Sequence, residues 1–167
     1  MYERLQVATI SERMAERDNP LLQVIVGPRQ TGKSTMIAQA LSHQKAEYSY
    51  VSADDPLVPS VDWLRTEWQQ ARNLTRGNTR PAILVVDEIQ KVGGWPNAVK
   101  SLWDADRRMG STLKVVLSGS SSLLLHRGLE DSLMGRFELI RSPHWSLSEC
   151  RDAFDYSLED FLYYGGY

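Results

Sequence analysis

One stretch constrains this chain more than any other: Gly27-Pro28-Arg29-Gln30-Thr31-Gly32-Lys33-Ser34. It fits G-x-x-x-x-G-K-[ST], a loop that cradles phosphate. Before it, Leu21-Leu22-Gln23-Val24-Ile25-Val26 is short, apolar and β-branched, which reads as a buried strand. After it, Met36, Ile37, Ala40 and Leu41 recur at helical spacing. A strand, a glycine loop and a helix in that order commit the chain to an α/β layout.

Each residue type in the loop has a physical reason. Glycines let the backbone curl so that successive N–H groups point inward at a helix N-terminus, forming an anion nest. Gly27 and Gly32 accept positive φ without a Cβ penalty. Lys33 brings a cation to the β- and γ-phosphates, and Ser34 offers a hydroxyl to Mg²⁺, an ion that takes few protein ligands. The predicted nucleotide contacts run from Gly27 through Pro28, Arg29, Gln30, Thr31, Gly32, Lys33 and Ser34 to Thr35. Arg29 fits either phosphate contact or pairing with an acid.

The second half of the site lies downstream. Ala82-Ile83-Leu84-Val85-Val86-Asp87-Glu88 is a continuous apolar run that ends in two carboxylates. A strand apolar on both faces belongs in the centre of a parallel sheet, and ligands of such sheets bind beyond the carboxyl ends of the strands. Asp87 is therefore expected near the loop, holding Mg²⁺ directly or through water. Glu88 is expected to polarise a water for attack on the γ-phosphorus. The plainer readings are a turn acid at Asp87 and a solvated carboxylate at Glu88. The Asn/Thr-Lys-x-Asp signature of guanine recognition does not occur. The adjacent acids instead favour an ATP-hydrolysing branch with an extra strand before Asp87, for which Tyr48-Ser49-Tyr50-Val51-Ser52 is the candidate. Leu113–Leu117 reads as another buried strand, running into Ser118-Gly119-Ser120-Ser121-Ser122.

Several blocks together carry a family resemblance. They are the loop, Asp-Glu-Ile-Gln-Lys (87–91), the serine-leucine run 118–125, Gly-Leu-Glu-Asp-Ser-Leu-Met-Gly-Arg-Phe (128–137) and Tyr-Gly-Gly-Tyr (164–167). The chain resembles the bacterial and archaeal AAA-superfamily ATPases whose second half is a domain of unknown function. The resemblance implies ATP binding and hydrolysis, and a three-layer α/β/α sandwich with a five-stranded parallel sheet of order 5-1-4-3-2. It implies a γ-phosphate sensor at Ser118 or Ser120. It also implies an arginine finger at Arg136 acting in a neighbouring subunit's site, with Arg127 and Arg141 as weaker candidates. Such a residue suits the role because its planar fork stays charged and grips phosphate oxygens in pairs. Residues 1–145 would be the ATPase core and 146–167 the start of a helical lid that in the family runs further. The lid usually carries a second arginine, and no residue here takes that role.

The composition fits a globular core: 167 residues, 42% hydrophobic and 24% charged, ordinary values for soluble proteins. With net charge −2, no basic balance points to nucleic acid. Arg107-Arg108 reads as a solvated helix face. The single cysteine, Cys150, excludes an internal disulfide and reads as a packed thiol. His43, His126 and His144 show no metal spacing. The start lacks a signal-peptide pattern, and no apolar run approaches a membrane span. Cytoplasm is the expected location.

The remaining punctuation places helices. Val7, Ile10 and Met14 predict an N-terminal helix ended by Asp18-Asn19-Pro20. Asp54-Asp55-Pro56 reads as a turn, with approach to Mg²⁺ or a partner as the other reading. Val61, Leu64, Trp68 and Ala71 form one stripe ending at Gly77, and Ala98, Leu102, Ala105 and Met109 another, stopped at Gly110. The five tryptophans read as core or interface. Ser146-Leu147-Ser148-Glu149 is a capping box, and Ser157 opens a second short helix closed by Gly165. The expected activity is Mg²⁺-dependent ATP hydrolysis. The alternative is a nucleotide-gated interaction switch with little turnover. Self-association or an unidentified protein client is the expected partnership. Remodelling of DNA or RNA rests on fold analogy alone.

Overall fold

A computed structural model describes residues 2–16, 20–54, 59–77, 79–120 and 132–166. The elements, in chain order, are α1 (Leu5–Ala15), β1 (Leu22–Val26), α2 (Lys33–Ser42), β2 (Glu47–Ser52), α3 (Val61–Leu74), β3 (Ala82–Asp87), α4 (Trp95–Met109), β4 (Leu113–Gly119), β5 (Phe137–Arg141), α5 (Leu147–Phe154) and α6 (Leu158–Tyr164). A single 3₁₀ turn, Ile89–Lys91, follows β3.

The five strands form one parallel sheet of order β2-β3-β4-β1-β5, the expected order read from the other edge. The central strands β1 and β3 are buried at every residue. Side chains alternate between the faces of a strand, so strands covered on both sides are apolar almost throughout, with Gln23 in β1 and Asp87 at the end of β3 as buried polar residues. Ile83 and Val85 join α1 and α2 in one core. Leu84 and Val86 join α3, α4 and Trp68 in the other. β2 lies at an edge and is largely exposed or half-buried, which fits its mixed Glu-Tyr-Ser-Tyr-Val-Ser composition.

Local signals set most helix ends. α1 buries Val7, Ile10 and Met14, the predicted stripe. α3 starts where the Ser60 hydroxyl accepts the Trp63 N–H, and ends at Leu74 with Thr75 as its C-cap, short of Gly77. α5 and α6 both open with complete capping boxes, Ser146–Glu149 and Ser157–Asp160. Gly110 caps α4 at φ 65°, a conformation that suits glycine.

α4 departs from the expected stripe. Its buried face carries Trp95, Ala98, Val99 and Asp106, while Met109 is 56% exposed. Ala98 and Leu102 of the expected stripe do face the core, but the C-terminal part of the buried face carries an acid that a hydrophobic pattern passes over. Asp106 accepts hydrogen bonds from Trp68 Nε1 and Arg72 Nε, both at 2.7 Å, so its charge is paired where it is buried. The tryptophans are packed: Trp68 and Trp95 within the core, Trp63 and Trp103 against it, and Trp145 against Tyr2, Phe154 and Arg4. Cys150 is a buried free thiol. Asp18, Asn19, Asp55, His126, Arg127, Tyr167 and, within the two blocks, residues 121–125 and 128–131 lie outside the described residues.

Candidate functional site

The parallel sheet places the carboxyl ends of β1, β3 and β4 side by side, and the glycine loop leaves β1 there. Gly27 sits against the backbone after β5: the Ser142 N–H donates to Val26 O at 2.7 Å, and a Cβ on Gly27 would collide with the Ser142 carbonyl. Glycine is required here for close approach. Gly32 is required for its conformation, φ 82°, directly before α2. Gln30 also takes positive φ, 64°, a strain concentrated where functional sites often store it.

A cavity of about 380 Å³ opens over the loop. Arg29, Gln30, Gly32, Lys33, Ser34 and Thr35 line one side, and Asp54, Glu88 and Lys91 the other. Gly27, Pro28 and Thr31 do not line it. The Lys33 ammonium folds back over the loop, donating to Gly27 O at 3.1 Å and Pro28 O at 2.5 Å. Burial pushes its pKa down, partly offset by Glu88 and Asp87. Thr31 turns inward: its hydroxyl donates to Pro28 O at 3.1 Å and accepts from Ser142 Oγ at 3.0 Å. Its side chain supports the loop and does not face the cavity.

Asp87, 7% exposed, ends β3. Its Oδ2 accepts Ser34 Oγ and Tyr50 Oη, both at 2.7 Å. Its Oδ1 accepts Ser118 Oγ and the Glu88 N–H. Burial pushes this carboxyl up, but the donated hydrogen bonds outweigh burial and hold it below its ordinary value. The Tyr50 phenol is pushed up to about 12 by burial and by its bond to Asp87. Ser34 Oγ and the Asp87 carboxylate are hard oxygen donors beside a cavity with three cationic side chains, a chemistry that fits Mg²⁺ with a phosphate group.

Glu88 takes φ 55°, a sparsely populated conformation for a side chain of its size. Its Oε2 accepts Gln90 Nε2 at 2.5 Å and Ser120 Oγ at 2.8 Å, and Gln90 also donates to Ser120 at 3.0 Å. The two candidate serines therefore divide. Ser118, fully buried within β4, holds Asp87, and Ser120, past the strand end, holds Glu88.

Arg136 lies elsewhere. β5 runs parallel to β1 with Phe137 opposite Leu22 and Arg141 opposite Val26. Arg136 thus stands at the amino end of the sheet, about a strand length, roughly 16 Å, from its own loop. There its Nε donates to Asp104 at 2.9 Å and its guanidinium lies over the Trp103 ring.

Sequence reasoning assigned no role to four residues that shape the site. Tyr50 was placed only as part of a strand, Gln90 and Lys91 only as part of a block, and Lys91 forms an ion pair with Asp54 across the cavity. Arg4, 3% exposed, donates to Thr31 O and Pro143 O at 3.1 Å and pairs with Glu149 at 2.8 Å. It ties the start of α1 to the loop and to the α5 capping box. A buried arginine this far from the motif leaves no signal in a local pattern.

With the loop, the paired acids and the parallel sheet in place, comparison is decisive. The family model described as AAA domain matches residues 19–151. The chain belongs to the AAA domain family. This AAA core is also similar in fold to C. elegans PCH-2, with a TM-score of 0.61 at 17% identity, over 96% of this chain. The chain spans 46% of that longer protein. Among curated proteins none matches the sequence. The AAA chain is thus a nucleotide-binding ATPase core, and among its described residues no helix is long and apolar enough to cross a membrane.

Proposed function

We propose that this AAA core binds ATP with Mg²⁺ and hydrolyses it. The observation that carries the reading is the convergence of Lys33, Ser34 and Glu88 on one cavity of about 380 Å³, with Asp87 directly behind Ser34. Bound Mg²⁺ would neutralise charge on the phosphates. Lys33 would release Gly27 and Pro28 carbonyls for the β- and γ-phosphate oxygens, and the N–H groups from Gly32 to Thr35 would complete the anion nest. Glu88 would accept a proton from the attacking water as the water oxygen bonds to the γ-phosphorus and the bond to the ADP oxygen breaks. Ser120, hydrogen-bonded to Glu88, is the better placed γ-phosphate sensor. Ser118 acts through Asp87.

Arg136 is assigned to a neighbouring copy's site, since its place at the amino end of the sheet keeps it from its own loop. Residues 146–167 are read as the start of a lid. The client and the cytoplasmic location stand as expectations from the sequence. A second reading, a nucleotide-gated switch with slow turnover, draws on Gln90 and Ser120 both donating to Glu88 Oε2.

The test is ATP binding and phosphate release over a wide range of protein concentration. Lys33→Ala should lose tight binding, and unchanged affinity overturns the site. Specific activity that rises with concentration supports a site completed between copies. Tight binding without turnover at any concentration favours the switch.

A further inference from the structure

Tyr50 belongs to an edge strand, yet its hydroxyl reaches the innermost carboxylate of the site. In register it pairs with Val85, two residues before Asp87. The residue is 37% exposed, and the length of the phenol carries Oη to Asp87 Oδ2 at 2.7 Å. An ionised carboxylate offers about four acceptor positions. Ser34 and Tyr50 take those on Oδ2, while Ser118 and the Glu88 N–H take those on Oδ1. Every acceptor position of Asp87 is filled by a donor from a different part of the fold: α2, β2, β4 and the turn after β3.

This arrangement has a consequence for metal choice. A cation can coordinate Asp87 directly only by displacing a donor. Ser34 can hold a cation through its oxygen while still donating to Asp87, and the Glu88 N–H and Ser118 are fixed by backbone and by a buried strand. Tyr50, on an exposed edge, is the donor whose removal opens a carboxylate position at least structural cost. Mg²⁺ dehydrates reluctantly and tolerates a carboxylate that acts from behind its ligands, whereas Ca²⁺ gathers more oxygen ligands and takes carboxylates directly, in one- or two-point contact.

We propose that Tyr50 is a metal-specificity residue: by filling the last acceptor position of Asp87 it keeps that carboxylate from ligating directly and so favours Mg²⁺ over Ca²⁺. Tyr50 is a positioning residue acting through Asp87. The proposal rests on the nucleotide-site reading above.

The test measures the affinity of the full chain for fluorescent mant-ADP in EDTA, in saturating Mg²⁺ and in saturating Ca²⁺, for wild type, Tyr50→Phe and Tyr48→Phe. Thermal melting by circular dichroism checks that each variant is folded. The expected result for Tyr50→Phe is an unchanged affinity in EDTA and a gain of about tenfold in Ca²⁺ enhancement relative to Mg²⁺, the scale of one hydrogen bond to a charged group. Tyr48→Phe, from the same strand face but 54% exposed, should match wild type. A Ca²⁺-to-Mg²⁺ ratio in Tyr50→Phe within about twofold of wild type, or an equal shift in Tyr48→Phe, overturns the role of Tyr50 alone. Wild-type protein that binds no mant-ADP, or binds it with no metal enhancement, overturns the nucleotide-site reading and the proposal with it.

Discussion

Arg4→Met should destabilise this protein far more than its place near the chain start suggests. The Arg4 side chain is 2% exposed and pairs with Glu149, itself 14% exposed. It also donates to Thr31 O and Pro143 O, both at 3.1 Å, and lies over Trp145 at 5.0 Å. Methionine keeps much of the stem volume and loses every polar contact. Removing one partner of a buried pair costs about 3–5 kcal/mol. Glu149 keeps the Ser146 N–H at 2.8 Å and some access to water, which brings the cost of the broken pair down to about 2 kcal/mol. The two orphaned carbonyls each add about 1 kcal/mol. The sum is about 4 kcal/mol, a large share of the 5–15 kcal/mol that holds a typical domain together. Urea denaturation should show it as a lower midpoint at unchanged slope, and the melting temperature should fall by about 10 °C. Glu149→Gln alone should cost less, and the double variant should cost less than the sum by about 1 kcal/mol or more, because both act on one pair. An Arg4→Met protein within about 0.5 kcal/mol of wild type, or a strictly additive double variant, would refute the reasoning that Arg4 is a hub.

Four further outcomes follow from the site. Gly27→Ala should cost several kcal/mol and weaken nucleotide binding, since the added methyl meets the Ser142 backbone carbonyl; equilibrium unfolding and mant-ADP titration check it. Glu88→Gln should bind ATP about as tightly as wild type yet release phosphate at least about 100-fold more slowly, in a steady-state assay where normal turnover removes Glu88 as the base. Mixing Lys33→Ala with Arg136→Ala protein should restore phosphate release that neither shows alone, and a mixture as inactive as its parts counts against a finger acting between copies. Glu149 is held below its ordinary pKa: burial pushes it up, but the bonds from Arg4 and Ser146 outweigh burial. A depressed carboxyl adds stability above its unfolded pKa and loses it as pH falls through the folded value. The acid limb of a melting-temperature profile, below about pH 4, should therefore be shallower in Glu149→Gln, and identical limbs would sink that assignment.

What the sequence disclosed followed from how local each signal is. The loop, the two-faced strands β1 and β3, and the capping boxes at Ser146 and Ser157 are written within a few neighbouring residues, and pattern reading recovers them. The α4 stripe faces the core at Ala98 and Leu102 but not at Met109; the buried place of Asp106 was hidden because its partners sit on α3, more than thirty positions away. Arg4 was silent for the same reason: its acceptors lie 27 to 145 positions along the chain. Thr31 was grouped with the phosphate contacts because the motif spans it; its side chain instead accepts a hydrogen bond from Ser142, the residue just past β5, a partner more than a hundred positions away.

The two serines show where the boundary between the legible and the hidden runs. Sequence places both after an apolar run that stops at Leu117, and leaves them equivalent. The strand in fact continues to Gly119, because β1 pairs with it as far as Val26 opposite Gly119. That extension is a property of two strands, not of one. It buries Ser118 in the sheet, where its hydroxyl meets the end of β3, and leaves Ser120 as the first residue free to reach Glu88. Ser118→Ala should accordingly weaken metal-dependent nucleotide binding through Asp87, while Ser120→Ala should leave binding intact and slow turnover. Binding assays in EDTA and Mg²⁺, run beside phosphate release, separate the two, and the reverse pattern would exchange their roles.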